Sequence, residues 1–291
     1  MMGIDNGKFI NPLTDFGFKK LFGSEPNKNL LIDFLNEMLP EQHNIQDLTY
    51  ARNEQIGQNV LDRSAIFDIF CKGVNGESFI VEVQKAEQDF FKDRSVYYSS
   101  FPIQQKAKKG DWNFQLQAVY TVGILDFTFD EHKNDQDIVH LVELKDQKCE
   151  VFFDKLKFIY IELPKFQKSE EQLESHFDKW LFVFTHLSKL QGRPEKLQEK
   201  IFQQLFEAAE IANLPKEDRN AYEESLKHYM DIKNVVDTSR LEGIQEGIQE
   251  GMGLGIGKRN LEIAALMKAD GESLEKIIKY TALSKEEIER L

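Results

Sequence analysis

The sequence predicts an α/β protein of the α+β type, with a mixed sheet flanked by helices and a helical C-terminal region. Strand-like runs rich in β-branched and aromatic residues dominate residues 47–163, and one helical segment interrupts them. From residue 169 onward, apolar residues recur at helical spacing instead. With 41% hydrophobic residues, a chain of 291 residues can bury a substantial core.

The elements before the sheet are an entry segment and one helix. Residues 1–23 form the entry segment, and a helix is predicted over 24–39 because its leucines and Phe34 recur at helical spacing. Ser24 is a candidate cap, and Pro40 ends the helix. The later predictions are strands over 47–57, 116–127, 140–144 and 151–163, a helix over 90–109 interrupted at Pro102, and helices over 176–190, 195–213 and 216–237.

The central feature of the sequence is a hairpin between residues 64 and 84. If Asn75 and Gly76 formed a two-residue loop, the carboxylates of Asp68 and Glu82 would point to opposite faces. A three-residue loop with Gly76 in the left-handed conformation pairs Asp68 with Glu82 instead. That register also produces one wholly apolar face, made of Phe67, Ile69, Cys71, Phe79, Val81 and Val83.

The other face of this hairpin carries two carboxylates among apolar neighbours. Asp68 and Glu82 would repel each other there, and burial would be costly unless a cation lay between them. Carboxylate oxygens suit Mg²⁺ or Mn²⁺, either of which can activate water against a phosphodiester. The alternative is the exposed polar face of an antiparallel sheet, and the pattern alone leaves both interpretations open.

Asp68 followed by Glu82-Val83-Gln84 is similar to the motif of the PD-(D/E)xK nucleases, in which an Asp and an acidic-x-Lys triplet lie on adjacent strands. More closely, several segments resemble the transposase family of these nucleases, the Rpn-type recombination-promoting nucleases. The segments are residues 11–20, 67–70, 79–86 and 91–98. The resemblance implies a restriction-endonuclease-like core and metal-dependent DNA cleavage, with Asp68 and Glu82 as ligands of Mg²⁺ or Mn²⁺.

The third position of the triplet departs from the broad superfamily. Gln84 stands where a Lys usually helps to place the attacking water, and an amide carries no charge. Lys85 is adjacent, but strict alternation sends it to the opposite face unless a bulge rotates the strand. The closer family resemblance leads us to expect Gln at this place. Gln84 is therefore interpreted as a variant site residue, with Lys85 as a further catalytic candidate.

DNA is the expected partner, although the net charge of −13 opposes broad attraction to a polyanion. The charge is uneven, because the segment 92–109 has a local balance of +4. Its candidate DNA-binding residues are Lys92, Arg94, Tyr97, Lys106 and Lys108. The alternative is that the aromatic residues pack on the sheet while the charges are solvated.

The sequence predicts a nuclease-like core over residues 1–165, followed by three further segments. They are a helical region over 166–237, a Glu-Gly repeat of period four over 238–260, and a small helical tail over 261–291. The glycines of the repeat disfavour an isolated helix. The repeat is therefore interpreted as a flexible tether, with self-association into a homo-oligomer as the alternative. The tail is interpreted as a docking module.

The cysteines, the start of the chain and the hydropathy pattern indicate where the protein is located. Two cysteines form no disulfide framework, no signal pattern opens the chain, and no apolar run is long enough for a membrane span. We therefore expect a cytoplasmic protein without membrane contact. The six histidines show no paired ligand spacing and are interpreted as structural. The rival functions are an inactive nuclease-fold interaction protein and transposase-style strand transfer.

Overall fold

A computed structural model describes residues 7–39, 44–51, 54–55, 65–106 and 114–291. The helices in these ranges are α1 (Asp15–Phe22), α2 (Lys28–Asn36), α3 (Phe91–Lys106), α4 (His176–His186), α5 (Lys200–Ala209), α6 (Lys216–Ala269), α7 (Leu274–Thr281) and α8 (Lys285–Arg290). The strands are β1 (Leu48–Tyr50), β2 (Glu54–Gln55), β3 (Ala65–Ile66), β4 (Ile69–Gly73), β5 (Ser78–Gln84), β6 (Val119–Leu125), β7 (Val139–Lys145) and β8 (Val151–Glu162).

Six of these strands form one mixed sheet in the order β1-β4-β5-β6-β8-β7. The first three make an antiparallel meander, and α3 then crosses over so that β6 lies parallel to β5. β8 continues parallel to β6, and β7 closes the far edge antiparallel to β8. β2 and β3 form a separate pair. The predicted α+β class, a mixed sheet with flanking helices, is confirmed.

The predicted register of the central hairpin is also the observed one. Ile69 lies opposite Val81, and Gly73 donates a backbone hydrogen bond to Glu77 across a three-residue loop. Gly76 in that loop has φ 87°, a left-handed conformation in which a Cβ would be strained. The strand pairing ends at Ile69 and Val81, so Asp68 and Glu82 are the next residues beyond it, at the open end of the hairpin.

Phe67 departs from the predicted sorting of side chains. The residues of the apolar face from Ile69 to Val83 do face the main core, but Phe67 packs on the other side against Phe70 and Tyr98. The chain bends at Asp68 before β4 begins, so strand alternation does not extend back to Phe67.

Helices cover both faces of the sheet. The main core joins one face to α1, α2, α4 and α5 through an aromatic group of Phe22, Phe34, Trp180 and Phe184. The other face lies beneath α3, where Phe101 covers Phe70 and Ile80. α4 and α5, and the start of α6 as far as Tyr229, therefore share one hydrophobic core with the sheet.

Several predicted element boundaries are wrong. The entry segment contains α1, and Ser24 precedes a 3₁₀ turn, where its side-chain oxygen accepts no capping hydrogen bond from the backbone. α3 continues through Pro102 without interruption. Proline removes one backbone hydrogen bond from a helix interior. Here the neighbouring Phe101 is buried against Phe70 and Ile80, which holds the helix on the sheet at this position.

The Glu-Gly repeat lies within α6 and is helical, so the tether interpretation is wrong. The chain forms two compact units, residues 1–233 and 234–291. In the second unit, Ala264, Ile277 and Ile288 form a small core, and the predicted capping box at Ser284 begins α8. None of the helices in the described ranges has the length and apolar character that a bilayer span requires.

Asp33 connects α2 to α4 through one carboxylate oxygen. Asp33 Oδ1 accepts a hydrogen bond of 2.7 Å from the indole nitrogen of the fully buried Trp180. The same oxygen lies 2.6 Å from His176 Nε2, and this contact raises the pKa of His176. The pair therefore stabilises the fold below the unfolded pKa of histidine, and that contribution is lost as the pH rises through the raised pKa.

We expect Asp33→Ala to lower the free energy of unfolding by about 1 to 3 kcal/mol, because it leaves a buried indole N–H without an acceptor. Asp33→Asn is the matched control, since its amide oxygen can still accept from Trp180. Urea unfolding should show a loss for Asp33→Asn that is larger below about pH 6.5 than at higher pH. A loss independent of pH would contradict the charged His176–Asp33 pair.

Candidate active site

The candidate site lies where the β4–β5 hairpin opens. Asp68 sits at the bend before β4, and its Oδ2 accepts a 2.9 Å hydrogen bond from the backbone N–H of Val83. The side chain thus takes the place of a strand partner at the end of the ladder. This bond fixes Asp68 beside the last residues of β5, where Glu82 and Gln84 lie.

Glu82 is a buried acid on the face of the sheet that α3 covers, with 7% of its surface exposed. Burial first, and then the negative charge of Asp68, raise the pKa of Glu82 to about 8. Arg94 on α3 acts in the opposite direction. The negative charge of Asp68 is therefore close enough to disfavour the ionised form of Glu82.

Gln84 connects Glu82 to Arg94. Its amide nitrogen donates to Glu82 Oε2 over 3.4 Å, and its amide oxygen accepts from an Arg94 guanidinium nitrogen at 2.9 Å. The guanidinium also lies over the ring of Phe91, which restricts its position. The positive charge that Gln84 itself lacks is thus supplied at this place by Arg94.

Asp68 borders a cavity of about 810 Å³ between α1, the end of β5 and the first turns of α6. Its polar lining includes Asp15, Lys19, Lys20, Asp68, Gln84 and Lys85. Burial raises the pKa of Asp68, the N–H of Val83 opposes that rise most strongly, and the charge of Lys19 does so next. Asp68 and Gln84 reach this cavity, whereas Glu82 faces α3 and is not part of its lining.

Lys85 lies on the cavity side, as strand alternation predicts. The β5–β6 pairing is regular through Gln84, so no bulge turns Lys85 toward Glu82. Its ammonium lies 5.8 Å from the centre of the Tyr229 ring on α6, and burial lowers its pKa while Asp15 and Asp68 raise it. Lys85 therefore shares the cavity with Asp68, whereas Glu82 does not line it.

The predicted DNA-binding residues occupy different environments. Lys92 pairs with Glu131 and lies 4.4 Å from the centre of the Phe129 ring, whereas Arg94 turns inward to Gln84. Tyr97 is 44% exposed and packs edge-on against Phe101. The side chain of Lys106, and Lys108 as a whole, lie outside the described residues.

Sequence reasoning missed the contribution of α1 to the site. Thr14 caps this helix by accepting from the N–H of Gly17, and Asp15 and Lys19 then form an ion pair of 2.7 Å beside Asp68. The available signal was the segment 11–20, which carries part of the family resemblance but was interpreted only as an entry segment. Its distance of about 50 residues from the hairpin hid the contact.

A family model described as PD-(D/E)XK nuclease family transposase matches residues 12–239. The chain belongs to this family. The match covers the whole sheet, the candidate site and the first turns of α6, and it ends close to the boundary between the two compact units. Membership supports a nuclease-type function. Comparison with curated proteins and with solved structures gave no match.

The donor set of this PD-(D/E)XK family member fits a divalent cation. Asp68 and Glu82 offer hard oxygen ligands, and burial raises the pKa of both carboxyls, as it does where negative charge lacks a compensating cation. A cation between them would replace repulsion with attraction. Asp68 and Glu82 are thus suitable residues to hold Mg²⁺ or Mn²⁺.

We expect Glu82→Gln to stabilise the metal-free protein, and increasingly so from about pH 5 to about pH 8. Between the unfolded pKa of 4.5 and about 8, the folded wild type binds one proton more than the unfolded chain, so its stability falls as the pH rises. Glutamine does not titrate and removes that fall. Urea unfolding in EDTA measures the difference, with the exposed Glu87→Gln as control. A wild type and a Glu82→Gln variant with parallel pH profiles would contradict the buried-acid assignment.

Proposed function

We propose that this protein is a metal-dependent DNA endonuclease of the recombination-promoting type. The observation that carries the proposal is the presence of two carboxylates with raised pKa values, the half-buried Asp68 and the buried Glu82, at the open end of the hairpin in a chain that belongs to a nuclease family. Structural acids in proteins are normally paired with cations or exposed. A pair whose burial raises both pKa values fits a cation-binding role better.

Asp68 and Glu82 would hold Mg²⁺ or Mn²⁺, and the bound ion would supply Lewis-acid polarisation of the scissile phosphate. The backbone N–H of Val83 orients Asp68 for this role. Glu82 is oriented by the Gln84 amide. Both ligands are thus positioned by hydrogen bonds from β5 itself.

Gln84 and Arg94 would act together on the substrate. In this proposal the Gln84 amide orients the attacking water, and Arg94 neutralises charge on the phosphate. The 2.9 Å bond between them keeps the guanidinium next to the carboxylates. Lys85 and Lys19 line the adjacent cavity, where they would favour an entering phosphate over the acidic background of the chain.

DNA would approach along α3. Arg94 and the exposed Tyr97 lie on this helix, and Lys92, Lys106 and Lys108 add positive charge to the same segment. Lys92 would exchange its partner Glu131 for a phosphate. Such a local basic surface suffices for binding at low salt, and binding should weaken steeply as salt is added.

A plasmid-nicking assay with Mg²⁺, Mn²⁺ and EDTA tests the proposal. Asp68→Asn and Glu82→Gln should each lower cleavage by at least about 100-fold, since the charge stabilisation lost is worth several kcal/mol. The exposed Glu87→Gln should cleave as the wild type does. Gln84→Lys, which restores the usual residue of the superfamily, should preserve or raise cleavage.

The proposal would be wrong if the folded wild type showed no metal-dependent nicking and its melting temperature did not change with Mn²⁺. The interpretation as an inactive nuclease fold would then stand. Destabilisation of Asp68→Asn and Glu82→Gln by about 1 to 3 kcal/mol would point the same way, because it would mark the carboxylates as structural acceptors.

We further propose that the repeat in α6 assembles the protein into a homo-oligomer. An exposed apolar row follows the helix at steps of three or four residues, and open space surrounds the glycines beside it. The row consists of Leu241, Ile244, Ile248, Met252 and Ile256. Apolar side chains spaced four residues apart form a ridge, and the glycines beside them leave a groove. Two copies of this helix can pack together, because the ridge of each helix fits into the groove of the other. Packing of this kind would also offset the helix cost of the glycines.

Removal of residues 240–291 should therefore convert the oligomer to a monomer while metal-dependent nicking remains. Light scattering coupled to size exclusion measures the first effect. In the full chain, Ile248→Glu should also dissociate the oligomer. Ser239→Glu is its matched control, since nine positions at 100° per residue place Ser239 on the opposite helix face. Unchanged mass for Ile248→Glu would contradict assembly through the repeat.

A further inference from the structure

A second group of metal-ligating side chains lies two strands away from the candidate active site. Donor atoms of His132, His140 and Glu162 lie within 4.8 Å of one another. Glu162 pairs in register with Leu125, which pairs with Gln84. At about 4.8 Å per strand, the group is roughly 10 Å from the end of β5.

The three donors come from separate segments that the fold brings together. His132 ends a 3₁₀ turn over Asp130–His132, His140 lies on β7, and Glu162 is the last residue of β8. His140 pairs with Tyr160 across the edge of the sheet. Because side chains alternate along β8, Tyr160 and Glu162 share a face, and His140 therefore points to the same side.

Glu162 is held in place although it is fully buried. Its Oε1 accepts from the backbone N–H of Phe129 at 3.1 Å and lies 2.8 Å from His132 Nδ1. Its Oε2 makes no hydrogen bond of good geometry within the described residues, although the ammonium of Lys165 lies 2.8 Å away as an ion pair. A buried carboxylate oxygen that is satisfied only by charge is suited to a cation.

His140 is oriented like a metal ligand. Its Nδ1 lies 3.8 Å from Asp135 Oδ2, while its Nε2 lies 3.4 Å from Glu162 Oε2. A metal-binding histidine usually directs its second ring nitrogen to a carboxylate. Asp135 is the carboxylate nearest to Nδ1 among the contacts of His140, at a distance slightly longer than a hydrogen bond. The ring also stacks on His132 with 3.8 Å between centres, so both imidazoles are constrained before any ion binds.

The ammonium of Lys165 occupies a position beside Glu162 and His140 that favours a positive charge. Its ammonium lies 2.8 Å from Glu162 Oε2 and 3.4 Å from His140 Nε2, so it contacts two of the three donors. Ammonium has no lone pair, and His140 can accept from it only through an unprotonated Nε2. That is the form in which imidazole binds a metal. The side chain of Lys165 also bonds to the carbonyl of Asp137, which offers it another position.

We propose that His132, His140 and Glu162 form a binding site for Zn²⁺ or a similar first-row transition ion, distinct from the site proposed for cleavage. Two imidazoles and one carboxylate suit zinc, whereas Mg²⁺ prefers oxygen ligands. Both imidazoles are partly exposed, so an ion can enter from solvent. Lys165 moves aside when the ion binds. The ion then links the 3₁₀ turn and β7 to the end of β8.

Without a metal, the same residues form an ion network in which Lys165 neutralises Glu162. The two interpretations differ in the effect of Lys165. A network needs its ammonium, whereas a metal site competes with it, because two cations repel each other in a buried place. Removal of the ammonium therefore separates the interpretations.

The experiment uses the full chain with Asp68→Asn and Glu82→Gln, so that the candidate active site contributes no ligands. Titration with Co²⁺ should produce visible absorption bands typical of a cobalt site with nitrogen ligands, and Zn²⁺ should abolish them at one ion per chain. Calorimetry with Zn²⁺ gives the affinity. Zn²⁺ should also raise the melting temperature.

Variants in this background identify the ligands. His132→Ala and His140→Ala should each weaken Zn²⁺ binding by at least about 10-fold, and Asp135→Asn by about 10-fold. Lys165→Met should tighten binding by roughly 10-fold, because it removes the competing charge. His176→Ala is the matched control, since this histidine pairs with Asp33 elsewhere in the fold.

Zn²⁺ affinity unchanged by His132→Ala and His140→Ala would overturn the proposal, as would the absence of cobalt bands. A Lys165→Met variant that is destabilised and indifferent to Zn²⁺ would establish the ion network instead. If Lys165→Met does not fold, Asp135→Asn decides, because Asp135 is partly exposed and a Zn²⁺ affinity equal to that of its parent would likewise overturn the site.

Discussion

A slip of one residue between β4 and β5 would turn Phe79 and Val81 away from the main core and carry Glu82 into it, because side chains alternate along a strand. The three-residue loop with its left-handed Gly76 prevents that slip. The same loop brings Asp68 and Glu82 to the open end of the hairpin, just beyond the last paired residues. One local constraint thus determines the packing of the sheet and brings the candidate ligands to one end of it.

Burial of Glu82 near the charge of Asp68 destabilises the folded protein, and other interactions of the fold must offset this cost. Glu82 is buried beneath α3 with its pKa raised to about 8, and Arg94 only partly compensates for the charge of Asp68. The large apolar core on the other face of β5 supplies the stability that makes this tolerable. Sites that bind ions or substrates commonly carry such a cost, because the ligand relieves it.

Distant parts of the chain complete the surroundings of Asp68. Tyr222 and Ser225 on α6 accept backbone hydrogen bonds from Asn11 and Phe16, which attaches the start of α6 to α1. Lys20 on α1 adds an ion pair of 2.7 Å to Asp218. These contacts span about 200 residues of sequence and close one side of the cavity that Asp68 borders. The start of α6 therefore contributes to the shape of the cavity that Asp68 borders.

The sequence by itself determined the fold class and the hairpin register, because alternation and turn chemistry are local. It did not reveal the bend that moves Phe67, the continuous helix through the glycines, or the place of Asp15 and Lys19, which depend on packing. The histidines lacked any ligand spacing along one element. His132, His140 and Glu162 became neighbours only where three segments meet at the sheet edge, and only tertiary structure decides such a meeting.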